Sequence, residues 1–413
     1  MAFASYGLAR DAAGEFDPTF SGNGKLTTHL RDFAVVNSVA IDARGRIVVG
    51  GLSRPDDGPL DFALARYKSR GSLDPTFSGD GKVTTSFGGF SGAIAHSIAI
   101  DAQGRIVAGG FTGQPSEFTL ARYNPDGSLD ASFDADGKLT AAIGDSDAAI
   151  NSVAIDAEGR IVAGGSSGTF RRADFALARF NPDGSLDASF DGDGKLTTAF
   201  GDTDDYATSV AIDADGRIVA GGVSGRPNRS DFALARYNPD GSLDAGFDGD
   251  GMLTTRFGSR RDIAHSVAID SRARIVAGGV KTRRRGRSNF ALARYLPDGS
   301  LDASFSRDGK LTTRIRRSNT VSSVAIDPRG RILAGGSSRR SFNTRFTLAR
   351  YRSKGRLDRS FSGDGTVTTR IDERFNDANS MAIDPRGRIV LGGVTNFDDT
   401  AADFALARYI GDG

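Results

Sequence analysis

Arginine is the residue type in this chain most able to do chemistry. Arg283, Arg284, Arg285 and Arg287 fall within five positions, Arg339 and Arg340 follow, and Arg314, Arg316 and Arg317 lie between the two groups. Arg256, Arg260 and Arg261 precede them. Guanidinium groups this dense could take up phosphate, nucleic acid or an acidic polysaccharide. No interleaved aromatic side chains support base stacking. The same arginines read equally well as a solvated basic surface.

Histidine offers less. Of three, His96 and His265 precede the serine of a recurring Ser-Val-Ala-Ile-Asp line, where other copies carry Asn37, Asn151, Thr208, Ser322 and Asn379. Together these seven make a polar ring at the mouth of the central channel that could bind a small polar ligand or an ion, or could simply be solvated loop ends that cap backbone groups. His29 has no counterpart, and scattered histidines make no zinc site. The Asp-Gly-Asp-Gly segments at 191–194 and 248–251 look like half a calcium loop. No carboxylate follows to finish the coordination shell, so they read as turns; no metal or cofactor is expected, calcium being the one considered. No nucleophile elbow, phosphate loop or metalloprotease helix is present.

These residues are positioned by a repeat. A line such as residues 209–222 recurs seven times, its serines at 38, 97, 152, 209, 266, 323 and 380, about 57 residues apart. A second line, Phe-Ala-Leu-Ala-Arg-Tyr, recurs beside it, and Lys-Leu-Thr-Thr, as at 195–198, makes a further strand. Alternating branched residues and Asp/Gly turns give four antiparallel strands per module. The pattern predicts an all-β, seven-bladed β-propeller, with strands a to d running from axis to rim. The last copy lacks strand d, and Lys25–Thr28 is spare. The N-terminal strand should therefore complete the last blade and close the ring.

In a meander, the b–c and d–a connections share one face. These connections vary between copies, so that face should carry function and most of the arginines. Strand c carries an arginine in every copy, from Arg66 to Arg408, on the same side as Phe and Leu. It should be buried and paired, with Asp42 or Asp74 and their equivalents as partners.

Residues 1–413 read as one domain, with 1–13 a loose extension. Residues up to 206 hold 18 Lys+Arg against 28 Asp+Glu, and the rest 35 against 23, so an acidic side and a basic side should oppose each other across the ring. The chain has no cysteine, no apolar run long enough to span a membrane, and no visible signal peptide.

The block Gly-Ser-Leu-Asp-Ala-Ser-Phe-Asp-Gly-Asp-Gly-Lys-Leu-Thr-Thr at 184–198 resembles the bacterial delta-60 repeat family, and variants of it recur at Gly71, Gly127, Gly241, Gly299 and Gly355. The resemblance implies a β-propeller, often in surface or extracellular proteins, and supplies no catalytic residue. A weaker likeness to kelch propellers rests on the Gly-Gly that ends strand b. The resulting expectation is a monomeric, non-enzymatic binding or scaffold propeller, secreted or at a bacterial surface. Its partner would be a protein, an acidic glycan or another polyanion. The alternative is a propeller hydrolase or lyase at the channel mouth.

Overall fold

The computed structural model describes residues 12–412 apart from 56, 89–91, 114, 145, 170–171, 227, 259, 284–285, 341–342, 373–374 and 397–401. Seven four-stranded antiparallel sheets follow one another in chain order. Blade 4 is typical, with strand a at Asp205–Ile212, b at Ile218–Arg226, c at Arg229–Tyr237 and d at Met252–Thr255. Its a–b turn is held by Asp213, whose carboxylate accepts the N–H groups of Asp215 and Arg217. Gly216 adopts φ +78° there, a conformation that costs glycine little.

The blades pack through complementary faces of strand c. On blade 3, Phe175 and Leu177 point forward; on blade 4, Ala233, Ala235 and Tyr237 point back to meet them. Large against small fills the wedge between twisted sheets without voids. The Gly-Gly doublet serves the same end. A Cβ on Gly221 would lie 2.3 Å from Val267 of the next blade, and one on Gly222 would lie 1.9 Å from the Tyr206 carbonyl oxygen.

The ring closes as expected. Lys25–Thr28 pairs antiparallel with the last c strand, Lys25 opposite Ala407 and Thr28 opposite Phe404. Blade 7 then packs on blade 1, bringing Val390, Phe404 and Leu406 against Ala34, Val36 and Ala63. Residues 1–11 of the expected extension lie outside the described residues. Contact with the ring is in place at Ala13, whose carbonyl accepts Ser362 N–H, and Gly14 N–H donates to Ile410.

Each strand c arginine is buried. Arg236 Nε lies 2.8 Å from Asp244, its guanidinium stacks 4.8 Å from the Phe247 ring, and it donates to the Pro297 carbonyl of the following blade. Of the two partner sets expected, the Asp74 set holds these arginines, as in Arg66–Asp74 at 2.9 Å. The Asp42 set instead pairs with the arginine that precedes strand b, as in Arg46–Asp42 at 2.6 Å. Among the described residues no helix is long and apolar enough to cross a membrane.

Candidate functional site

Strand a begins earlier than the serine that marks it in sequence; in blade 1 it runs Phe33–Ile41. The alternation breaks because each strand a holds one extra residue opposite strand b. That residue is Asn37, His96, Asn151, Thr208, His265, Ser322 or Asn379. A bulge re-aims the side chain it carries, and here all seven line one opening of about 400 Å³ at the axis, together with the serines that follow them. The mouth residues are therefore bulges within strands, not loop ends.

Two belts of hydrogen bonds circle this channel. Six of the seven serines accept from the next blade, as Ser152 Oγ does from Val210 N–H at 3.1 Å; Ser323 makes no such bond among the described residues. Mouth side chains donate to the next blade's carbonyl: Asn37 to Ala95, His96 to Ile150, Asn151 to Ala207, Thr208 to Ala264 and Asn379 to Val36, at 2.8 to 2.9 Å. His265 and Ser322 make no such bond among the described residues. Burial, with repulsion from Arg261, drops His265 to about 4, and burial also lowers His96 despite its bond to Ile150. Both imidazoles are neutral near pH 7. No carboxylate lines the opening among the described residues.

The arginine loops sort differently. Arg287, Arg314, Arg316, Arg317 and Arg340 line one cleft of about 860 Å³ between the rims of blades 5 and 6, with Ile315, Asp364, Thr366 and Thr368. Arg283 and Arg339 are exposed outside that lining, and Arg284 and Arg285 lie outside the described residues. Arg256 is engaged with Asp231 at 3.1 Å. None of the five cleft arginines makes an ion pair among the described residues. Arg316 reaches Thr368 Oγ1 at 3.2 Å. Burial first, then repulsion from Arg345 and Arg340, lowers its proton affinity. Like charges held together this way are ready to receive an anion.

Sequence reasoning missed Asp364, Thr366 and Thr368, which blade 6 contributes to the lining, and Arg345, whose charge repels Arg316. The signal was present at Thr366. Strand d opens with lysine at 25, 82, 138, 195 and 310, with Met252 in blade 4 and Thr366 in blade 6.

The half-calcium segments are turns. Asp193 and Asp250 accept the N–H groups of Lys195 and Met252, and no cluster of three potential metal ligands occurs among the described residues.

Six of the modules match the family model "Domain of unknown function (DUF5122) beta-propeller", at residues 45–77, 104–133, 157–190, 214–247, 274–305 and 330–361. The match supports a β-propeller repeat family. No curated protein sequence matches it. Among solved structures it is similar to the polysaccharide lyase Uly1, at 9% identity over 91% of this chain and 90% of that one, TM-score 0.54. It is also similar to an ulvan lyase bound to -[GlcA(1-4)Rha3S]-, at 10% identity over 92% and 95%, TM-score 0.53. Chaetomium thermophilum Sqt1 bound to the N-terminus of a ribosomal protein matches at 14% identity over 93% and 98%, TM-score 0.50. At such identities the likeness concerns the fold.

Proposed function

We propose that this propeller is a non-enzymatic binding module whose variable face takes up an acidic polymer, outside the cell or at its surface. The observation that carries the reading is the set of five arginines without acidic partners around the cleft between blades 5 and 6. Cations gathered on one side of a rigid ring raise the local concentration of a polyanion and hold it through many weak, salt-sensitive contacts. The resemblance to delta-60 repeats supports the extracellular placement. The structural neighbours include both protein-binding and polysaccharide-cleaving propellers, so the fold is compatible with either use.

The second reading, a lyase or hydrolase at the channel mouth, draws on His96 and His265. The belts employ His96 in tying blades together, and the lining offers the histidines no carboxylate partner. One experiment separates the readings. The protein is mixed with heparin and with a uronate polysaccharide, and both retention and the release of unsaturated or reducing ends are measured. Binding that weakens steeply with salt and yields no new ends is expected. New ends that vanish in His265→Ala would overturn the reading in favour of catalysis.

A further inference from the structure

Three of the five lysines that open strand d share a task, while Lys138 turns to Asp136 at 3.7 Å. Lys82 Nζ donates to the His29 carbonyl at 3.0 Å, Lys310 to Arg256 at 3.3 Å and Lys25 to Arg370 at 3.4 Å. In each case the acceptor is the residue just after strand d of the preceding blade. The lysine therefore bridges the wedge between two rims and occupies it with its own stem and charge. By the same rule the lysine of blade 6 would reach the Arg314 carbonyl. Blade 6 has Thr366 instead, and its hydroxyl turns to Asp364 Oδ1 at 2.9 Å. The short side chain leaves that wedge open, and the wedge is the cleft that the arginines line.

We infer that the threonine at 366 makes the cleft between blades 5 and 6 a subsite for one acidic sugar unit of a glycan chain. The inference rests on the polyanion reading above and narrows it to one place and one ligand class. The size fits, since sites for small ligands run from about 300 to 1,000 Å³. The chemistry of the lining is mixed. Arg314, Arg317 and Arg340 offer charge-assisted donors to a sulfate or carboxylate. Asp364 and Thr368 offer acceptors to sugar hydroxyls. A carboxylate is an unfavourable neighbour for a phosphate backbone, and the lining has no aromatic ring for a base to stack on, so nucleic acid fits the cleft less well.

The test is Thr366→Lys, which should rebuild the bridge to the Arg314 carbonyl and fill the cleft while making the face more positive. Affinity for a heparin hexasaccharide is measured by calorimetry for wild type, Thr366→Lys and Thr366→Val, with melting temperatures alongside. The expected result is a loss of at least tenfold in Thr366→Lys, an unchanged or higher melting temperature, and near wild-type affinity in Thr366→Val. If Thr366→Lys binds as well as wild type or more tightly, the added charge has acted as mere surface potential. The subsite is then wrong although the polyanion reading survives. If wild type binds neither hexasaccharide nor long heparin at low salt, the polyanion reading itself fails. A single-stranded oligonucleotide of equal charge that binds more tightly than the hexasaccharide, and is displaced by Thr366→Lys, would overturn the assignment to glycans.

Discussion

Tyr237 donates its hydroxyl to Thr198 Oγ1 at 2.8 Å across the seam between blades 3 and 4. The same pair joins Tyr67 to Thr28, Tyr123 to Thr85, Tyr295 to Thr255, Tyr351 to Thr313 and Tyr409 to Thr369. At the seam between blades 2 and 3 the two positions hold Phe180 and Ala141, packed within one apolar cluster. A hydroxyl buried at a seam needs a partner, and where one is missing the other is missing too.

That relationship predicts coupling. Phe180→Tyr alone buries an unpaired hydroxyl and should cost about 1–3 kcal/mol. Phe180→Tyr with Ala141→Thr should recover most of the loss. A double-mutant cycle by chemical denaturation reads the coupling directly; additive effects would show that the hydroxyls do not meet.

Arg66→Ala should destabilise the ring by about 3–5 kcal/mol, because Asp74 is left charged and buried. The comparison is denaturation against an exposed change such as Arg283→Ala, which should be near neutral. The same network sets acid sensitivity. Burial alone would raise Asp74, Asp130 and Asp187, but hydroxyl, N–H and guanidinium donors hold all three below the ordinary carboxylate value. Their stabilisation is complete above the unfolded value, near 3.9, and is lost as pH falls through the lowered folded values. Stability should therefore fall cooperatively below about pH 4.

Asp262 behaves in the opposite way. It is fully buried; Oδ2 accepts Phe257 and Gly258 N–H, and Oδ1 has no partner. In blade 7 the equivalent is Asn376, whose Nδ2 donates to the Asp372 carbonyl at 3.0 Å. Burial raises Asp262 above the ordinary carboxyl value. Wild type should lose stability as pH climbs from about 3.9 through that raised value, because only the unfolded state then releases the proton freely. Asp262→Asn removes the loss, so its advantage over wild type should grow across that window. An advantage that does not vary with pH would contradict the assignment.

His265→Asn should add one link to the mouth belt by donating to the Val321 carbonyl, as Asn151 does to Ala207. Wild-type His265 stays neutral down to about 4, while an unfolded histidine takes its proton near 6.5. Stability of wild type should therefore drop as pH falls from about 6.5 to 4, and His265→Asn should lack that component. Equal pH profiles for the two proteins would show that His265 is solvated.

The repeat made the fold legible, since the same four-strand pattern returns at nearly constant spacing and leaves one strand unpaired at each end of the chain. The buried strand c arginines were legible from alternation, Arg236 sharing a face with Phe232 and Leu234. The mouth ring was found through position alone, but its residues looked like loop ends, because a bulge interrupts the period that reveals a strand. The arginine cleft was legible only as a crowd. Arg284 and Arg314 are equal in the sequence, whereas the cleft depends on which rim stands opposite. Thr366, some 50 positions from Arg314 in the chain, meets it only through the wedge between blades.

The most direct measurement is a calorimetric titration of a heparin hexasaccharide into wild type and Arg314→Ser/Arg317→Ser, at low and at moderate salt. Asp202→Ser, an exposed change on the acidic side, is the control. Wild type should bind with an affinity that falls steeply with salt, because counterions return to the displaced charges. The double variant should lose at least tenfold and show a flatter salt dependence at an unchanged melting temperature, and Asp202→Ser should bind as wild type or slightly tighter. Absence of binding by wild type at low salt, or equal binding by the double variant, would contradict the account.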